Sequence, residues 1–302
     1  MTEFNLDWKR GDKLAQGKTK IVWSNAADPE TEILEFKDDI TAGDGQKHDV
    51  IKGKALVDWK TNRDIMEFLK RQGISMAYIG SPEERIVIVR KLTKVLKLEV
   101  VMRRVATGSI LDLMRGAVKE GDVFDPPLLQ FFYKDDLLHD PLLDANFLLT
   151  IEWKKKPMDL FTKIAMLKLR QFLILEAAFA KYGIQYMDDK MEIGVNLKDY
   201  DARGELTWGS GGQIMLIDEI TAGSFRAWPY AEGVKKINLR ERNAIDQLNK
   251  GGMLDKQLYR DGASTKVVKE KFEQIAAITA GFKNLDINVA IPDVSLAELL
   301  GN

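Results

Sequence analysis

Cysteine is missing from all 302 residues, and histidine occurs only twice, as His48 and His139. The first absence excludes disulfides, thiol nucleophiles and cysteine-based metal sites together. The second leaves little material for a zinc centre or a histidine-based triad. Net charge is scarce too: 45 Lys and Arg stand against 46 Asp and Glu, a formal charge of -1. The global balance therefore gives no support to nucleic-acid wrapping, and any bound anion must be met by a local site. No run approaches the ~18 apolar residues that span a bilayer, and MTEFNLDWKRGDK at the N-terminus lacks the apolar stretch of a signal peptide. A cytoplasmic protein with neither membrane nor nucleic-acid partners is the resulting expectation. Its chemistry has to come from Asp, Glu, Lys, Arg, Ser and backbone groups, with a hard cation such as magnesium as the natural metal.

What is present is an ordinary globular composition, 45% apolar and 30% charged. IVW at 21–23, EILEF at 32–36, MAYIG at 76–80 and RIVIVRKL at 85–92 are rich in strand formers. Between them Ile51, Ala55, Leu56, Trp59, Ile65, Phe68 and Leu69 recur at helical spacing, which predicts a helix over about 50–71 ending before Gly73. A second sheet is expected to begin at KLEVVMRRVA, 97–106. A helix over about 158–181 follows, entered by Pro157 and closed by Gly183. Strands are expected at 187–194 and 212–220, and a last helix after Ser264, a suitable N-cap. Strands followed by helices in both halves predict an α+β protein with a smaller lobe at 1–96 and a larger one at 97–302.

Four segments carry chemistry. GDKLAQGKTK, 11–20, is not a Walker loop, because five residues rather than four separate Gly11 from Gly17 and a strand follows. A glycine turn between strands can still bring backbone amides, Lys18 and Lys20 over phosphates; the plainer reading is an exposed hairpin with two solvated lysines. In MDDKMEIG, strand alternation places Asp188, Lys190 and Glu192 on one face and Asp189, Met191 and Ile193 on the other. If 187–194 pairs antiparallel with 212–220, Glu192 and Asp218 lie on adjacent strands, two carboxylates able to hold magnesium together with phosphate oxygens. A pair of salt-bridged strands is the plainer alternative. RRVATGS, 103–109, offers two arginines, a small turn and a serine hydroxyl as a phosphate receptor. DEITAGSFRAW adds Arg226, FFYKDD adds Lys134, and His139 reads as a structural loop residue.

Taken in order, GKTKIVW, FKDDITAGDGQK, KLEVVMRRVATGS, PPLLQFFYKDDLLHDP, MDDKMEIG, LIDEI with RAW, and DKQLYRD at 255–261 resemble the SAICAR synthetases. The resemblance covers nearly the whole chain. It implies an ATP-grasp-like, two-lobe, homo-oligomeric ligase. This would join L-aspartate to carboxyaminoimidazole ribonucleotide with ATP, through an activated carboxylate, in purine biosynthesis. It implies Lys18, Lys20 and Lys134 at the ATP phosphates and Glu192 and Asp218 as magnesium ligands, with Asp188 and Lys190 adjoining. Arg103 and Ser109 are implied as ribonucleotide-phosphate contacts, Arg226 as a carboxylate contact, and Asp44 in ITAGDG as a wall near the acceptor or aspartate. The chain departs from the family at Gly223, where the pattern carries an aspartate. Asp189 or Glu219 can replace that carboxylate only if the geometry brings them there. Two other readings stay open: a ligase of the same scaffold with another acceptor or amine, and a non-catalytic nucleotide-binding relative.

Overall fold

A computed structural model describes residues 6–43, 46–135, 137–143, 158–196, 199–200, 206–207, 213–292 and 294–299. The first sheet opens with β1 (Arg10–Gln16), β2 (Lys20–Asn25) and β3 (Thr31–Phe36), then a separate hairpin forms from β4 (Asp39–Ala42) and β5 (Lys47–Val50). Helix α1 (Lys54–Arg71) comes next, and β6 (Tyr78–Gly80) and β7 (Ile86–Arg90) complete the sheet in the antiparallel order β1-β2-β3-β7-β6. Helix α1 starts later than its apolar spacing suggests. Gly53 sits at φ 85°, a left-handed conformation that no α-helix continues through, so residues 47–50 are free to pair as β5. The buried face of α1 includes Trp59, Ile65, Phe68 and Leu69, as the helical spacing requires.

The second sheet is built from β8 (Lys94–Val105), β9 (Val123–Tyr133), β10 (Leu142–Leu143) and β11 (Ile184–Asn196). Between these strands lie α2 (Ser109–Leu113) and α3 (Met158–Ala180), and Gly183 at φ 73° turns the chain from α3 into β11. A small hairpin, β12 (Asp199–Tyr200) and β13 (Leu206–Thr207), precedes β14 (Gln213–Leu216) and β15 (Phe225–Pro229). The order is β10-β9-β8-β11-β14, with β15 pairing the first half of β11. β11 is thus flanked throughout: β8 runs along one edge, while β15 and β14 share the other. Pro157, the expected entry to α3, lies outside the described residues.

All strands of the first sheet fall within 10–90 and those of the second within 94–229, but the core is shared. One apolar cluster holds Phe36 and Phe68 together with Met102, Phe172 and Phe272. The backbone also crosses between the halves, with Ala77 donating to the Leu216 carbonyl at 2.8 Å and Leu216 to that of Ser75 at 3.1 Å. After the short α4 (Gln257–Arg260), helix α5 (Thr265–Thr279) packs on α1, and the Ser264 hydroxyl caps it by accepting from the Val267 amide at 3.3 Å. The last described helix, α6 (Leu296–Leu299), buries Leu299. Among the described residues no helix is long and apolar enough to cross a membrane.

Candidate active site

The charged stretch of β11 divides between its two faces as alternation requires. Asp189 points at α3, where it pairs with Lys168 and accepts from Gln171 Nε2 at 2.8 Å, all three side chains being buried. Asp188, Lys190 and Glu192 occupy the opposite face and meet Arg103 and Glu99 on β8 and Lys134 just past β9. Asp189 is therefore not placed to replace a carboxylate at Gly223, because its carboxylate is turned to α3 and matched there by Lys168 and Gln171.

At one end of this ladder Asp188 lies opposite Arg103 on β8 and Arg226 on β15. It accepts from Arg103 Nη1 at 2.7 Å and from Arg226 Nη1 at 2.8 and 3.1 Å. Arg103 is fixed further by Gln130, at 2.8 Å, and donates to the exposed Ser109 hydroxyl at 3.1 Å. Burial acts against both guanidinium charges; Asp188 and Asp255 nevertheless hold Arg226 above its usual range, whereas Arg103 is drawn down. Arg226 Nε is buried with no hydrogen-bond partner among the described residues. Gly108 makes room for the Arg226 guanidinium. Its φ of 64° suits glycine, and a Cβ there would sit 2.1 Å from Arg226 Nη2. Arg103, Ser109 and Arg226 thus lie together around Asp188 and Gly108.

Arg104 does not join them. As the next residue along β8 it turns to the helix side, where Nε and Nη2 bind Glu176 of α3 at 2.8 and 3.1 Å and Nη1 binds Asp125 at 3.0 Å. The sequence reading of two arginines in one phosphate receptor is corrected to one, for the elementary reason that adjacent strand residues face apart.

At the other end, β14 pairs antiparallel with β11, and the Ile217 amide donates to the Glu192 carbonyl at 3.2 Å, bringing Asp218 beside Glu192. Lys134 meets Glu192 at 2.8 Å. Lys20, one residue beyond the Gly17–Thr19 turn of the β1–β2 hairpin, pairs with both Asp218 and Glu219, and Thr19 donates to Glu219 at 2.6 Å. The hairpin of the first sheet is thereby tied to the carboxylates of the second. Burial, and then the Asp218 charge, raise the Glu192 carboxyl; burial also acts on Asp218, but Lys20 and other lysines hold it below the usual range. Two hard oxygen donors whose repulsion is relieved only by lysines suit a divalent cation. Among the described residues no group of three or more His, Cys, Asp or Glu is arranged for a metal, so phosphate oxygens and water would supply the remaining ligands.

Between the two ends Lys190 reaches Glu99 at 2.5 Å. Burial opposes its charge, but Glu99 and Asp218 hold the ammonium above its usual range. Glu99 had no role in the sequence reading, although alternation along KLEVVMRR already puts it on the Arg103 face. Lys256 and Arg260, in the DKQLYRD segment, were missed as well. Burial, then Arg260, Lys54, Lys190 and Lys18, push the Lys256 ammonium down to about 7, while desolvation and Arg226 lower Arg260. Behind them Asp255, fully buried and accepting from the Gln257 and Ala227 amides, is pushed up to about 6 by burial. Lys18 is exposed at the hairpin tip. The turn holding Gly223 lies against the site: Ser224 accepts from the Lys190 amide and Ala222 from that of Lys256, both at 3.2 Å. A Cβ at Gly223 would meet nothing closer than Thr221 Oγ1 at 3.4 Å. Asp44 lies outside the described residues, and His139 sits in a turn at φ 57°.

Two arginines on Asp188 at one end of a carboxylate-bearing strand, and lysines on Glu192 and Asp218 at the other, one of them from the hairpin of the first sheet, define an α+β protein with a charged face suited to anionic small molecules. The chain belongs to the SAICAR synthetase family, whose family model matches residues 13–276. It is 37% identical over 261 residues to the phosphoribosylaminoimidazole-succinocarboxamide synthase of Sulfolobus acidocaldarius, covering 86% of this chain and 95% of that one. To the enzyme of the same name from Roseiflexus sp. it is 34% identical over 279 residues, 91% and 98% of the two chains. Among solved structures, it is similar to the phosphoribosylaminoimidazole-succinocarboxamide synthase of Ehrlichia chaffeensis, with TM-score 0.70 and 27% identity over 89% of this chain and 98% of that one. It is also similar to a SAICAR synthetase in complex with ADP, with TM-score 0.69 and 29% identity over 88% and 97% of the two chains.

Proposed function

We propose that this chain is the ATP-dependent ligase that joins L-aspartate to carboxyaminoimidazole ribonucleotide, forming SAICAR, ADP and phosphate in purine biosynthesis. The observation that carries the reading is the single face of β11 on which Asp188, Lys190 and Glu192 organise an arginine pocket at one end and a lysine–carboxylate pocket at the other. Arg103, Ser109 and Arg226 would hold the ribonucleotide phosphate or a substrate carboxylate, with Asp188 fixing both guanidiniums as a positioning residue. Lys18, Lys20 and Lys134 would neutralise the ATP phosphates. Glu192 and Asp218 would hold magnesium, which supplies charge neutralisation at the transferring phosphoryl group.

Phosphoryl transfer to the carboxylate needs alignment and charge neutralisation, which these lysines give without histidine or cysteine. Attack of the aspartate amine on the activated carboxylate then gains from holding the two reactants together. Residues 1–96 would act as the nucleotide lobe and 97–302 as the acceptor lobe, with Asp44 near the acceptor, in a cytoplasmic homo-oligomer. The test is product formation from carboxyaminoimidazole ribonucleotide, L-aspartate, ATP and magnesium, identified by mass, with Glu192→Ala as control. SAICAR that disappears in the control is expected. ATP binding without any SAICAR would sink the proposal and turn attention to another acceptor or amine beside Gly223.

A further inference from the structure

A cavity of about 480 Å³ opens between α3, β8, β11 and the segment after β15. It lies behind the candidate active site, since Arg104 reaches it from β8 while Arg103 serves the other face. The volume falls within the range of small-molecule pockets. Its polar floor is internally matched: Glu176 binds Arg104 through both oxygens and accepts from Gln185 Nε2 at 3.0 Å, while the Tyr230 hydroxyl donates to Gln185 Oε1 at 3.4 Å. Burial and then Glu176 raise Tyr230, which keeps it a donor. The floor therefore has no charge left to offer.

The rim has a surplus. Lys181, Lys235 and Lys236 line the opening, all exposed, and none forms an ion pair among the described residues. The walls are apolar, lined by Leu173, Leu239 and Val289, with the small Ala177 and Ala180 on α3 where larger side chains would take up the space. Three unmatched ammonium groups over an apolar slot are complementary to a flat, apolar body carrying an acidic group.

We propose that this cavity is a second binding site, separate from the catalytic face, for a small aromatic anion such as a carboxylate or sulfonate. Nothing in the proposed reaction uses it. The probe is 8-anilinonaphthalene-1-sulfonate, titrated into the folded full chain by fluorescence and by calorimetry, with uncharged N-phenyl-1-naphthylamine as comparison. One saturable site is expected, with weaker binding of the uncharged compound. The double variant Lys235→Glu/Lys236→Glu should weaken the sulfonate about tenfold or more, since it reverses two rim charges. Ala177→Leu, which fills the slot, should weaken both compounds. The lysine variants are at exposed positions, so the test stands even if the alanine variant fails to fold. Absence of saturable binding, or equal sulfonate affinity in the native chain and the lysine double variant, overturns the proposal.

Discussion

Replacing Asp188 by Asn tests the central arrangement most directly. Asp188 is 3% exposed and is shared by Arg103 and Arg226 through three hydrogen bonds of 2.7 to 3.1 Å. The amide keeps the shape but leaves two guanidiniums facing each other across a poorly solvated gap. Breaking a buried ion pair costs about 3–5 kcal/mol. With an unfolding entropy of roughly 2.1 cal/mol/K per residue, 302 residues give about 0.6 kcal/mol/K, so the loss corresponds to a fall in Tm of about 5–8 °C. The Asp189→Asn variant should fall by a similar amount, because it strips the buried Lys168 of its partner. The two then separate in their response to phosphate. Millimolar inorganic phosphate, offering a replacement anion to Arg103 and Arg226, should restore a substantial part of the Asp188→Asn loss and none beyond the native response for Asp189→Asn. The assay is thermal unfolding by circular dichroism with and without phosphate. A Tm within about 2 °C of the native chain for Asp188→Asn, or equal phosphate rescue of both variants, would refute the reasoning.

Exchanging the consecutive arginines should separate ligand binding from folding: Arg103→Met should raise the KM for the ribonucleotide about 10- to 100-fold through lost charged hydrogen bonds. Arg104→Met should leave KM within a few-fold and instead lower the denaturant midpoint by stranding Glu176. Gly108→Ala forces a Cβ into the Arg226 guanidinium at a left-handed φ, and steady-state kinetics should show a KM defect comparable to loss of Arg226 itself. Lys256 gives a pH signature, since its folded-state value near 7 lies below the ordinary 10.5 and the unfolded chain holds more protons between them. That group therefore makes stability rise with pH across the window; denaturant midpoints at pH 6.5 and 9 should show a smaller rise in Lys256→Met. A Lys256→Met rise equal to that of the native chain would show the ammonium to be solvated.

The sequence by itself determined the elements and the face each strand residue takes. Apolar spacing located α1, boundary residues such as Gly183 and Ser264 located α3 and α5, and alternation alone separated Asp188, Lys190 and Glu192 from Asp189, because strand period is a local property of the backbone. The same rule held enough to place Glu99 with Arg103 and to turn Arg104 away. The helical pattern gives way at Gly53, where a single left-handed residue overrode the spacing that began at Ile51. What only the tertiary structure decided is which charges meet. Lys20 comes to Asp218 across 198 residues and Arg103 to Asp188 across 85; such distances depend on strand order and register, which hydrophobic burial across the whole core fixes and no local window contains. Lys256 is the clearest case. A lysine in a polar segment reads as solvated, and only tertiary packing, which buries it first and then sets Arg260, Lys54, Lys190 and Lys18 around it, draws its ammonium down to about 7.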